Sequence, residues 1–231
     1  MQNKKMKAVT FSYDDGVTQD RRLIEIFDRY GLKATFNINS GLFGREGTLL
    51  REGATVNYAR FHAEEIAEVY KNHEVAAHTL THPALRELSD EEVIKQVEED
   101  RLALSSLVGY EVLGMAYPGG GVNNDERVAD LIKENTGIRY ARTISSTHSF
   151  DVQDGLYRFN PTIHQHGEFD RTFQLAKEFI ELKPETPKVF YIWGHSYELD
   201  IRDEWDKFEE LCKLLSGHDD IFYGTNKEIL L

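Results

Sequence analysis

The sequence predicts an α/β fold, a parallel sheet closed or nearly closed into a barrel with helices outside. Three observations predict it. Short apolar runs alternate with longer amphipathic stretches along the chain, the pattern of repeated strand–helix units. These runs number about seven or eight, which suits a barrel. The residues with reactive side chains fall just after the ends of the runs, where parallel barrels carry their active sites. A doubly wound open sheet is the alternative arrangement of the same units.

Taken in order, Lys7–Tyr13 reads as a buried strand. Gln19–Tyr30 reads as a helix with Leu23, Ile24, Ile26 and Phe27 inward, and Gly31 stops it. Ala34–Ile38 is the next strand, Ala63–Asn72 a helix and Glu74–Ala77 a short strand. Ser89-Asp90-Glu91-Glu92 has the Ser-x-x-Glu capping box and opens a helix through about Leu107. Gly114–Tyr117 is a strand, Asn124–Glu134 a helix and Tyr140–Thr143 a strand. Glu168–Leu182 is a helix, Lys188–Trp193 a strand and Arg202–Leu215 a helix, and Ile221–Tyr223 closes the series. Asn39–Phe61 and Ser145–Gly167 have no clear periodicity, and loops of that length in a compact domain are often functional.

Composition bounds the partners. The chain has 231 residues, 40% of them hydrophobic, enough for one core and one domain over 1–231. The net charge of -13, from 40 acidic and 27 basic residues, argues against nucleic acid and anionic membranes as partners. The lone cysteine, Cys212, excludes an intrachain disulfide and falls in the apolar pattern of a late helix. Met1-Gln2-Asn3-Lys4-Lys5 leads into no apolar h-region, and no run is long enough to span a bilayer, so a cytoplasmic protein is expected. Nothing in the composition fixes an oligomeric state.

Two clusters fit one metal site: Asp14-Asp15-Gly16 after the first strand, and His78-Thr79-Leu80-Thr81-His82 after the strand ending at Ala77. Asp, His and His form an open hydrolytic set, with room for a water and a substrate oxygen. The second Asp is left over, and a base is needed beside the metal. Asp-Gly alone is a common turn pair, and His-x-x-x-His alone is a weak signal. Together at two strand ends they point to metal. Zinc suits the donors, with cobalt, manganese and nickel as alternatives. Tyr117-Pro118-Gly119-Gly120-Gly121 offers a backbone N–H at or near Gly119 for an oxyanion, and lacks the lysine of a phosphate loop. His195, after an apolar strand, is a candidate general acid. His164 and His166 form a His-x-His pair that reads as loop or solvent contacts, with a second metal site or substrate contact as alternatives.

At these residues the chain resembles the polysaccharide deacetylases, the NodB-homology group of carbohydrate esterases. The resemblance runs through Ser12-Tyr13-Asp14-Asp15-Gly16, His78-Thr79-Leu80-Thr81-His82-Pro83, Ala116-Tyr117-Pro118-Gly119-Gly120 and Ile192-Trp193-Gly194-His195, covering about positions 7 to 197. It implies a single domain folded as a distorted (β/α)7 barrel. It implies that Asp15, His78 and His82 hold one divalent metal, that Asp14 is the general base and His195 the general acid. It also implies that Gly119, with Tyr117 beside it, serves the oxyanion and substrate. The activity implied is removal of an N-acetyl group from an amino sugar or short saccharide.

Three departures stand out. The family's bracing Arg aligns with Ala116, and Arg142 is the candidate replacement. Gly119 stands where the family has an aromatic residue. The tryptophan/Asp segment is missing, Asp151 and Asp154 having the wrong neighbours, and Glu198 is a candidate to orient His195 instead. The other readings are a metallo-amidohydrolase or esterase acting on a non-sugar C–N bond or an acetyl ester, and a non-catalytic metal- or sugar-binding module.

Overall fold

The computed structural model describes residues 5–231, so the expectation that Met1–Lys4 opens no leader lies outside the described residues. Seven parallel strands form one curled sheet. In chain order they are β1 (Lys7–Asp14), β2 (Ala34–Ile38), β5 (Glu74–Ala77), β6 (Gly114–Ala116), β7 (Tyr140–Arg142), β8 (Ile163–His164) and β9 (Lys188–Gly194). Their spatial order is β7-β6-β5-β2-β1-β9-β8. Among the described residues a single parallel bridge joins Arg142 of β7 to Phe159, four residues before β8, so the sheet curls toward closure without β7 and β8 pairing. An eighth parallel strand, β10 (Ile221–Tyr223), pairs with Lys7–Val9 of β1, while β2 pairs with Phe11–Asp14 farther along the same edge.

Alternation along β1 divides the core, because neighbouring side chains in a strand point to opposite faces. Val9, Phe11 and Tyr13 face outward and pack with residues of helices α1 (Asp20–Tyr30) and α7 (Trp205–Leu215). The Phe27 ring of α1 lies 4.8 Å from that of Phe11, and Phe208 of α7 packs edge-on against both. Ala8, Thr10, Ser12 and Asp14 therefore face the barrel interior. Ala8 packs there with Phe159, Tyr191 and Ile229. Ile229 belongs to the C-terminal helix Asn226–Leu230, whose Asn226 meets Thr10, Thr35 and Tyr191. That helix plugs the end of the barrel where the strands begin and leaves the other end for a site.

Several elements differ from the sequence reading. The stretch Ala63–Asn72 is a 3-10 turn, Ala63–Glu65, and one helical turn, α2 (Ile66–Val69). Helix α3 (Asp90–Val108) begins at Ser89, whose hydroxyl accepts from Glu92 N at 3.3 Å. The reciprocal half of the capping box is replaced, since the Glu92 carboxylate accepts from Gln96 instead. Helix α4 (Glu126–Asn135) is capped by Asp125, two residues later than the predicted start. Helix α5 (Phe169–Glu181) follows the prediction within a residue at each end. Gly194 is followed by a short helix, α6 (Tyr197–Ile201), absent from the prediction. The aperiodic stretch Asn39–Phe61 contains an antiparallel hairpin of β3 (Thr48–Arg51) and β4 (Ala54–Asn57).

Candidate active site

The strand ends at the open mouth carry the reactive groups. Asp14 is the last residue of β1, and Asp15 follows with φ 83°. In a regular strand two adjacent carboxylates would point to opposite faces. The left-handed backbone at Asp15, a strained conformation for a residue with a Cβ, brings both to one cleft. Gly16 continues the turn at φ 63°, and a Cβ there would sit 2.9 Å from Ile38 Cγ2. Thr79 and His82 are also left-handed, at φ 69° and 61°, so strained backbone gathers around the candidate metal-binding residues.

Asp15, His78 and His82 bring one donor atom each to within 4.8 Å of one another. Asp15 Oδ1 lies 3.9 Å from His78 Nε2 and 3.8 Å from His82 Nε2. His78 Nδ1 is 2.9 Å from the Ala116 carbonyl; that contact puts the proton on Nδ1 and leaves the Nε2 lone pair toward the carboxylates. Burial pushes the His78 pKa down to about 4, so the ring is neutral, as a ligand must be. Its backbone N–H donates to Asp100 Oδ2 of α3 at 2.9 Å. Burial also acts on Asp15, but His195, His78, Arg60 and His82 outweigh it and hold its pKa at about 2. Two nitrogens and one carboxylate oxygen, with a cleft beside them, fit a zinc-type ion with a free coordination position.

Asp14 is bound by Arg142, the last residue of β7, whose Nη2 lies 2.5 Å from both carboxylate oxygens. Asn37 of β2 donates to Oδ1 at 2.8 Å. The Arg142 guanidinium is fully buried and rests 4.4 Å from the Trp193 ring. Burial works to raise the Asp14 pKa; Arg142, then His78 and His195, overcome it and hold the carboxyl below its ordinary value. Asp14 Oδ2 lies 4.0 Å from His78 Nε2.

His195, just past β9, points Nε2 toward Asp15 Oδ2 at 3.9 Å. Its Nδ1 lies 3.1 Å from Glu198 Oε1 of α6, near enough for an ion pair but out of line for a hydrogen bond. Glu198 also accepts from the His195 backbone N–H at 2.9 Å and meets His164 Nε2 at 3.0 Å. Burial lowers the His195 pKa, but Glu198 and then Asp15 and Asp14 reverse this and raise it to about 9. The ring is therefore a cation at neutral pH.

Asp14, Asp15, His78, His82 and His195 line one cleft of about 420 Å³ that also includes Tyr117, Gly119, Trp193 and Tyr197. Gly119 sits at its wall with φ 85°. Tyr117 lines it too, but its N–H donates to the Arg142 carbonyl and its hydroxyl to the Tyr157 carbonyl. It therefore offers a surface rather than a free donor. The His-x-His pair splits. His164 stacks on Trp193 and turns into the cleft, unlike the predicted loop contact, whereas His166 meets Glu52 Oε1 of the β3–β4 turn at 2.7 Å. Asp151 pairs with Lys188 where β9 begins, at the far end of the barrel from the site.

Sequence reasoning missed Tyr58 and Arg60. The Tyr58 hydroxyl donates to Asp15 Oδ2 at 2.9 Å, and Arg60 reaches Asp15 Oδ1 at 3.3 Å as well as its backbone carbonyl. Both follow a hairpin with no periodic signal. It also missed Asn37, although two asparagines at the end of the Ala34–Ile38 run were a readable cue.

A polysaccharide deacetylase family model matches residues 1–141. The chain belongs to the polysaccharide deacetylase family. The peptidoglycan-N-acetylglucosamine deacetylase PgdA of Listeria monocytogenes is 25% identical over 158 residues, which cover 67% of this chain and 28% of the relative. The chain thus spans little more than a quarter of the curated relatives it matches. Among solved structures, the Xyl-CE4 domain of a multidomain xylanase from the hindgut metagenome of Trinervitermes trinervoides superposes with a TM-score of 0.62 at 15% identity, covering 99% of this chain and 90% of that one. A family 4 acetyl xylan esterase from Clostridium thermocellum, solved with a cobalt ion, gives a TM-score of 0.59 at 14% identity, covering 97% and 90%. This family member shares with those structures its fold, a curled parallel sheet with helices outside.

One departure from the family pattern has a geometric counterpart. Ala116, at the aligned position of the family's arginine, is the register partner of Arg142 on the neighbouring strand. A guanidinium one strand over reaches the same carboxylate.

Proposed function

We propose that this chain is a metal-dependent hydrolase that removes the N-acetyl group from an amino sugar, alone or within a saccharide. One observation carries the reading: a second carboxylate and a third histidine, Asp14 and His195, each lie within about 4 Å of a side-chain donor of the Asp15–His78–His82 set, in one cleft. A module that only held a metal would need neither.

Asp15, His78 and His82 would hold a zinc-type ion, which would supply polarisation of the acyl oxygen and a lowered pKa for a water in the cleft. Asp14, kept ionised by Arg142, accepts the proton of the attacking water. The backbone N–H at Gly119 donates to the oxyanion. His195 then transfers its Nε2 proton to the departing amine, with Glu198 holding the ring from the Nδ1 side. The products are acetate and a free amine. Tyr58 and Arg60 orient Asp15, as partners of metal-binding carboxylates do.

Acetate release from N-acetylated glucosamine oligomers, by protein loaded with one equivalent of zinc, tests this. Asp14→Asn keeps the size of the carboxylate but cannot take a proton. It should retain metal and lose about 10²–10⁴-fold in rate. Wild-type turnover in this variant would place the base elsewhere.

A further inference from the structure

We propose that His164, His195 and Glu198 form a second divalent-metal site whose occupation stops turnover. The inhibition rests on the proposed function; the binding does not. The three side chains bring one donor atom each to within 4.8 Å of one another, and none of them belongs to the Asp15–His78–His82 set. His164 Nε2 lies 3.0 Å from Glu198 Oε2, and His195 Nδ1 lies 3.1 Å from Oε1. Ligands about 2.0–2.1 Å from a tetrahedral ion lie roughly 3.4 Å apart, so small shifts would admit one.

Two further observations point to a ligand. His195 Nδ1 and Glu198 Oε1 are buried and face each other at 3.1 Å without an aligned hydrogen bond, so neither is committed to a well-formed one. The His164 ring is held by stacking on Trp193, 4.1 Å away at 20°, which fixes the direction of Nε2. Both histidines line the cleft. Two imidazoles and a carboxylate select zinc, cobalt or nickel over magnesium or calcium.

One group stands in the way. Arg51 Nη1 of the hairpin lies 3.2 Å from Glu198 Oε1. Its side chain is 38% exposed, so it can swing into water when a divalent ion takes its place. Binding at Nδ1 requires the lone pair there and releases the proton that Nδ1 carries. His195 is then a neutral ligand with a proton only at Nε2. Giving that proton up would leave an imidazolate, so the ring no longer serves as an acid near neutral pH.

Metal-free protein dialysed against zinc, with bound metal measured by elemental analysis, tests the site. Two equivalents per chain are expected in the wild type, one in His164→Gln and one in His82→Ala. Acetate release should rise with the first equivalent and fall with the second, and His164→Gln should lack the fall. Arg51→Met should bind the second equivalent roughly tenfold more tightly, since a cation beside the carboxylate is gone. Saturation of the wild type at one equivalent overturns the inference, as does a second equivalent that persists in His164→Gln. If the wild type stops at one equivalent and His82→Ala loses it, the proposed function stands while this inference falls.

Discussion

Asp14 shows how single residues set the chemistry. A buried carboxylate would ordinarily rise in pKa and lose its charge. Arg142 prevents this with two contacts of 2.5 Å. In Arg142→Met the burial effect acts without that cation, so the Asp14 pKa rises. A depressed carboxylate contributes stability above its ordinary pKa and loses it as pH falls through the folded value. The variant gives up that contribution, and leaving a buried charge unpaired costs about 3–5 kcal/mol. The acidic limb of the pH–rate profile should move to higher pH, and the melting temperature should drop. An unmoved limb would mean that Arg142 does not tune the base. Arg142 was legible in the sequence because it ends an apolar strand, where a charge needs a reason. Tyr58, Arg60 and Arg51 were not. They come from or follow a hairpin whose strands are only half buried, so no alternation marks them, and only the folded chain brings them to Asp15 and Glu198.

At the scale of elements, the turn after β1 is the hinge of the site. Asp15 and Gly16 both have positive φ, and Gly16 has a side chain of β2 where its Cβ would be. Gly16→Ala should cost about 1–3 kcal/mol from strained backbone and close contact. It should also weaken metal binding, because Asp15 is aimed by that turn. An unchanged melting temperature with full zinc affinity would refute this. The longer helices and strands were readable from periodicity. Two elements were not, for different reasons. Strand β8 has two residues, too few to show any period. The C-terminal helix carries a capping box, Thr225 with Glu228, but its five residues follow the last strand so closely that they read as a tail. That tail matters, since it plugs the closed end of the barrel.

Over the whole molecule, the curled parallel sheet was legible because strand and helix alternate, while its incomplete closure between β7 and β8 was not. The bridge at Arg142 has no counterpart in the sequence pattern. Burial also leaves a titration signature. Asp20, held by Tyr70 and Ser196, and Asp100, beneath the His78 loop, have pKa values raised by burial to about 7. A group raised on folding stabilises while protonated, and that contribution is lost as pH rises through the folded value. His195 adds a further loss as pH passes about 9. Asp15 acts oppositely, losing its contribution only as pH falls through about 2. His78 and His73, lowered by burial to about 4, act against the Asp20 and Asp100 carboxyls between about pH 4 and 6.5. The melting temperature of metal-free protein should therefore be nearly level there and fall toward about pH 9. Asp20→Asn, which cannot ionise, should turn the level stretch into a rise. A melting temperature that climbs from about pH 7 to 9 would contradict the assignment. The central claim, that Asp15, His78 and His82 hold the ion on which hydrolysis depends, is tested most directly by following acetate release and bound zinc in the same titration. Wild-type protein stripped of metal should release none and recover in proportion to the first equivalent bound, while His82→Ala should bind one equivalent fewer than the wild type and recover no rate. Acetate released at full rate by metal-free protein, or by zinc-treated His82→Ala, would contradict the account.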